Sequence, residues 1–318
     1  MLRSLLVAAL LAATTPAAAQ DAYPSHTIQL VVPFGAGSGT DAMARELAQA
    51  LSNELGQPVV VDNRPGANGM IAAELAAKAP NNGYTLLMAG NTTHSANPYL
   101  FKTLRYDPIK DFTPIARLAT APFVLAVDGK GSLKTLPELI ARAKAEPGKL
   151  SYGAPSSAAT VSGETLKQMA NINLIEVRYR QTPQAMTDVL GGAINMAFLD
   201  LAACLSNLKS GNLRALVTTG AKRTPLLPDV PTMQESGYAG VDIIAWVGVF
   251  APANVPPAIT AKLDGAVAKV MASERIQSRL TGMGLDPAYA PAQETSAFIK
   301  SELVRWGEMI KKAGIEPQ

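Results

Sequence analysis

Hydrophobic and polar residues along the chain change period repeatedly, from short β-branched or continuously apolar runs to stretches repeating near every 3.6 residues. IQLVV, PVVVD and YTLLM are the first three short runs and predict strands. Between the first two, residues 41–55 carry Ala44, Leu47, Ala48, Leu51 and Leu55 on one stripe, which predicts an amphipathic helix stopped by Gly56. A second alternating set begins after PFVLAVDGKGS: the helix LPELIARAKAEPG, the strand KLSYG, a helix through Met169, the strand LIEVRY, the helix PQAMTDVLGG, then INMAFLD and LRALVTTG. IIAWVGVFAP, apolar throughout, is followed by two helical segments, PPAITAKLDGAVAKVMAS and ETSAFIKSELVRWGEMIKKAG. This order predicts an α/β fold with mainly parallel sheets and helices on both faces.

A chain of 318 residues exceeds one small core, so two domains are expected. PFVLAV and IIAWVGVF read as two passages between lobes, which returns the C-terminal helices to the first lobe. The expectation is a bilobal molecule with a cleft: residues 20–124 plus 245–318 form one lobe and residues 125–244 the other. No linker rich in Ser, Pro or acidic residues separates them.

The N-terminus adds a compartment. Arg3, the apolar run Leu5 to Ala13 and the Ala-x-Ala match at Ala17 to Ala19 predict a secretory signal peptide over residues 1–19. Its apolar run is far shorter than the roughly 20 residues a membrane-spanning helix needs, so an exported, soluble protein is expected. A formal charge of +3 without a basic run argues against nucleic acid as a partner. The lone cysteine, Cys204, excludes an internal disulfide and reads as a buried small hydrophobe in MAFLDLAACL. With two histidines and one cysteine, neither a zinc site nor any other cofactor is expected.

The candidate chemistry centres on GAGSGT, residues 35–40, between the first strand and its helix. Gly35-Ala36-Gly37 followed by a helix, with Asp62 ending the next strand, resembles a dinucleotide turn. Against it, Thr40 stands where the third glycine belongs, Pro33 and Phe34 intervene, and an exported protein does not ordinarily meet nicotinamide cofactors. No Gly-Lys-Ser/Thr follows, so a P-loop is excluded. What remains is a loop whose amides near Ala36 to Thr40 converge on a small anion beside the hydroxyls of Ser38 and Thr40, or a turn that binds nothing. Asp41 fits helix capping at least as well as ligand contact. LSYGAPSSAATVSGETLKQMA repeats the strand, hydroxyl-rich loop and helix in the second lobe, so two helix N-termini could face one cleft.

YPSHTIQLVVPFGAGSGTDAMAREL, VVVDNRPGANGMIAAE, NGYTLLMAG, YDPIKDFTPIARL, LSYGAPSS and LRALVTTGAKRTPLLPDVPTMQESG together resemble the Bug-type solute-binding proteins of tripartite tricarboxylate transporters. The resemblance covers essentially the whole mature chain. It implies a periplasmic two-lobed fold and delivery of an organic carboxylate, di- or aromatic, to a permease with one large and one small membrane subunit. It also implies that Pro33 to Asp41 grips a carboxylate through amides and ordered water while Ala154 to Thr160 closes over it. The candidate ligand-binding residues are Phe34, Ala36, Gly37, Ser38, Thr40, Asp41, Asn91, Ala154, Ser156, Ser157, Thr160, Arg180 and Asp200. Where many members read Val-Pro-Tyr-Lys-Gly, this chain reads Val177-Arg178-Tyr179-Arg180-Gln181, which would put both arginines on one strand face, ready for a second carboxylate. Trp246 and Phe34, with Tyr152 or Tyr179, could form an aromatic wall.

A monomeric transport receptor is the leading expectation. A carboxylate-sensing co-receptor for a membrane sensor kinase shares the same cleft. An exported hydrolase lacks a Gly-x-Ser-x-Gly elbow and has only His26 and His94 to activate a nucleophile.

Overall fold

A computed structural model describes residues 23–317; the predicted secretory leader lies outside them. The chain runs β1 (Ile28–Val32), α1 (Gly39–Leu55), β2 (Val59–Asn63), α2 (Met70–Ala77), β3 (Thr85–Gly90), α3 (Asn97–Leu100) and β4 (Phe112–Asp128). It continues through α4 (Leu136–Ala145), β5 (Ser151–Ala154), α5 (Ser157–Ala170), β6 (Ile175–Arg178), α6 (Thr182–Leu190), β7 (Met196–Asp200), α7 (Leu201–Lys209) and β8 (Leu213–Thr218). The last elements are β9 (Ile244–Pro252), α8 (Pro257–Ala272), α9 (Glu274–Gly282), β10 (Asp286–Pro291) and α10 (Ala292–Lys312).

Local chemistry sets these limits. Ser38 caps α1 by accepting from the Asp41 amide, Met43, Leu47 and Leu51 are buried along it, and Gly56 ends it in the left-handed region at φ 69°. Thr135 and Glu138 form a reciprocal capping box on α4. β6 stops at Arg178, short of the predicted LIEVRY strand, because Gln181 already precedes the first turn of α6. Arg178 and Arg180 therefore do not share a strand face. The helix α9, capped by Ser273, and the strand β10 stand where the hydrophobic pattern predicted no separate elements.

The sheet is mixed rather than mainly parallel. β1 pairs in parallel with β2 and β3, and β5 with β6 and β7. The long strand β4 joins the two sets and is antiparallel to every partner: β9 and β10 over its first part, β7 and β8 from Phe123 onward. The second link is Thr219, whose amide donates to Phe123 O at 3.0 Å and whose carbonyl accepts from Ile243 N at 2.9 Å. One core gathers β1, α1, α8 and α9 side chains; another gathers those of β5, α5 and β7. α10 straddles both halves: Ile299 packs with Val31 and Trp246, whereas Trp306 and Ile310 pack with Tyr152 and Phe198.

After β3 the chain enters a π-helical turn, Thr92–Ala96, with every residue buried. His94 lies fully buried against the rings of Phe250 at 4.4 Å and Phe112 at 4.8 Å, its Nδ1 3.0 Å from Thr93 Oγ1. Burial lowers its pKa to about 3, so the imidazole is neutral in the folded state. The unfolded chain protonates it near pH 6.5 and thus binds more protons below that value, so this contribution to stability is complete above about pH 6.5 and is lost as pH falls toward 3. Urea unfolding at pH 7 and pH 5 should therefore show His94→Phe losing about 2 kcal/mol less stability than wild type over that interval. Equal losses would contradict a buried neutral imidazole.

Candidate functional site

A cavity of about 60 Å3 lies where the C-terminal ends of β3 and β7 meet the first turns of α1 and α6. Its wall includes Phe34, Ser38, Gly39, Thr40, Asn91, Phe123, Pro155, Ser156, Thr182, Asp200, Trp246 and Leu285. A second cavity of about 350 Å3 shares Pro33, Phe34 and Pro155 with the first and is otherwise lined by Gly66 to Gly69, Phe101 and Arg178 to Arg180. Phe34 belongs to the wall of both. Strand ends and helix starts from both halves are thus gathered in one place, as open α/β sheets arrange their ligand crevices.

The glycine loop is organised by its own chain. Ser38 N donates to Gly35 O, Gly37 N to Asp41 Oδ2, Gly39 N to Asp200 Oδ1 and Asp41 N to Ser38 Oγ. The amides of residues 37, 38, 39 and 41 thus have acceptors within the chain. Asp41 also accepts from Arg45 and Asn63. Burial works to raise the Asp41 carboxyl, but the Arg45 guanidinium, the Gly37 amide and Asn63 outweigh it and hold its pKa below the usual carboxylate value.

Six of the sequence candidates line the first cavity: Phe34, Ser38, Thr40, Asn91, Ser156 and Asp200. Arg180 lines the second, exposed. The others are turned elsewhere. Ala36 and Gly37 are exposed at the loop apex, and Ala154 lies buried in β5. Ser157 donates to Asn97 Oδ1 at 3.1 Å, and Thr160 donates to Glu176. Ser156 caps α5; Ser157, one helical step round from it, and Thr160, one turn further along the axis, do not line the cavity. Arg178 is held by Glu176 at 3.0 Å. Of the aromatic candidates, Phe34 and Trp246 line the first cavity and Tyr179 the second, while Tyr152 is buried beneath α5 with its hydroxyl on Glu164.

Two donors at the first cavity have no partner among the described residues: Asn91 Nδ2 and Trp246 Nε1. Leaving such a group buried and unpaired costs about 1–3 kcal/mol. Asp200 is the one carboxylate there. Burial raises its pKa, and bonds from the Thr182 hydroxyl and the Ala203 and Gly39 amides counter part of that effect. Sequence reasoning missed Thr182; its position just before Pro183, at the start of a helix-period run, was the available signal.

The family model described as the tripartite tricarboxylate transporter family receptor, TctC, matches residues 43–315. The chain belongs to this receptor family. Its members are transport receptors and not enzymes, which removes the hydrolase reading. The R. palustris protein Rpa4515, solved with adipate, is 34% identical to this receptor, with a TM-score of 0.90 over 93% of this chain and 100% of that one. The periplasmic binding protein BugD is 32% identical, with a TM-score of 0.88 over 93% of this receptor and all of BugD. MatC from Rhodopseudomonas palustris, with bound malate, is 30% identical, with a TM-score of 0.85 over 91% of this chain and 100% of MatC. The receptor therefore has the periplasmic-binding-protein fold.

Within the loop, Gly37 alone takes a left-handed conformation, at φ +83°, where a Cβ would make only an ordinary contact with Pro183 Cγ at 3.5 Å. Gly37→Ala should cost about 1 kcal/mol through backbone strain alone, read as a lower thermal midpoint. An unchanged midpoint would contradict that conformation.

Proposed function

We propose that this protein is an exported, periplasmic receptor that captures a small organic dicarboxylate between its halves and delivers it to a permease of one large and one small membrane subunit. Residues 20–124 with 245–318, and residues 125–244, act as the two lobes, moving about β4 and the strap through Thr219. The observation that carries the reading is the pair of neighbouring cavities, one lined by residues with unpartnered neutral donors and the other lined by arginine. The adipate found in one relative and the malate in another support a dicarboxylate as the ligand class.

In this reading the inner carboxylate accepts from Asn91 Nδ2 and from the hydroxyls of Ser38 and Ser156. Both hydroxyl oxygens already accept backbone amides, which leaves their hydrogens free to donate. The apolar chain lies against Phe34 and Pro155. The outer carboxylate reaches Arg180, whose guanidinium matches it bidentately. The first cavity, of about 60 Å3, is small beside the second, of about 350 Å3, so in this reading the dicarboxylate extends into the larger one. Binding is reversible capture with no covalent step.

A thermal-shift panel of aliphatic monoacids and diacids tests this reading. A true ligand at about 100 times its Kd should add roughly 2.7 kcal/mol of stability. Arg180→Met should weaken the best diacid by roughly 2–4 kcal/mol and leave its monoacid analogue much less affected. Asn91→Leu should weaken both. No shift from any carboxylate would overturn the receptor reading, and equal small losses for both ligands would remove Arg180 from the site.

A further inference from the structure

The two halves touch along the glycine loop, and the contact is specific. Asp200 caps α7, its Oδ1 accepting from Ala203 N at 3.1 Å; the same oxygen accepts from Gly39 N, across the cleft, at 3.1 Å. Its Oδ2 accepts from Thr182 Oγ1, at the start of α6, at 2.9 Å. One carboxylate thus sits where α1, α6 and α7 all begin. The positive ends of three helix dipoles favour a negative charge at that point, and Asp200 supplies it from within the chain.

The glycines facing it are explained by space. Neither Gly35 nor Gly39 adopts a positive φ, yet a Cβ on Gly39 would lie 2.3 Å from Asp200 Oδ1 and 2.8 Å from Ala202 Cβ. A Cβ on Gly35 would lie 2.2 Å from Gln181 Oε1. Gln181 is a flexible side chain that can move aside. Asp200 Oδ1 is fixed by two backbone amides, so a methyl group at position 39 must push the halves apart.

We propose that Asp200 and Gly39, with Gly35 beside them, form a closure seam that holds the cleft shut before ligand arrives, making Asp200 a positioning residue rather than a ligand contact. This deepens the receptor reading and rests on it for its consequence on affinity. A receptor whose closed state is already populated gives up less of its intrinsic affinity to closing, since apparent Kd equals intrinsic Kd divided by the competent fraction.

Solution scattering on ligand-free protein, followed by titration with adipate, tests the seam. Wild type should have the same radius of gyration with and without adipate. Gly39→Ala, which adds a methyl in a first helical turn where alanine is well tolerated, should expand the ligand-free protein, contract on adipate and bind it at least tenfold more weakly. Asp200→Ala should do the same. Asp200→Asn keeps an oxygen for the Gly39 and Ala203 amides and should restore the compact ligand-free form that Asp200→Ala loses. Ligand-free Gly39→Ala and Asp200→Ala proteins as compact as wild type would overturn the seam, as would an Asp200→Asn protein that stays expanded. If adipate and its homologues fail to bind wild type, the dicarboxylate reading fails, while the ligand-free scattering still decides the seam.

Discussion

The carboxylate of Asp200 stands at the start of three helices drawn from both halves of the molecule, and the geometry of the cleft depends on it. Helix N-termini present unsatisfied amides and positive dipole ends, which must be matched by an anion, a hydroxyl or water. Here an internal carboxylate matches them. The glycine loop can then approach the second half closely because Gly39 has no side chain to obstruct it. The loop amides at residues 37, 38, 39 and 41 are already bonded within the chain, whereas two buried side-chain donors on residues lining the cavity, Asn91 Nδ2 and Trp246 Nε1, have no partner among the described residues.

The halves are joined tightly away from that seam as well. β4 runs through both strand sets without a break, and Ser157 of α5 donates to Asn97 of α3 in a buried contact. Asn97 in turn donates to Asn68 O at 2.9 Å, tying the turn before α2 into the same network. α10 carries apolar side chains into the cores of both halves. On the side of the glycine loop the contact between halves combines the Gly39 to Asp200 bond with Ala202, which packs against the first core. A hydrogen bond suits a contact that can separate, because the separated groups regain water.

Much of this was legible from residue pattern. The stripe of Ala44, Leu47, Leu51 and Leu55 and the stop at Gly56 gave α1, and the alternation of runs gave an α/β fold. The mixed sheet was not legible, because antiparallel and parallel pairing of buried apolar strands leave the same composition. α9 was hidden because ERIQSRLTG carries only Ile276 and Leu280 as apolar residues, and β10 because the two prolines of DPAYAP argue against a strand. Among site residues, Ser38, Asn91, Ser156 and Asp200 could be placed because strand ends and helix starts face the cleft. Ser157 and Thr160 are engaged by partners far off in sequence, Asn97 and Glu176, which residue pattern alone does not reveal. The purpose of Gly35 and Gly39 is set by residues far away in sequence and emerges only in three dimensions.

The amide of Gly39 reports on this arrangement directly, since as the first residue of α1 it lies outside the helical ladder and its bond is to Asp200. Hydrogen exchange at that single amide, followed by NMR in ligand-free protein, measures how often the cleft opens. The account predicts strong protection before any ligand is added, and its loss in the Asp200→Ala protein. Exchange at the rate of an unprotected amide in wild type would contradict it.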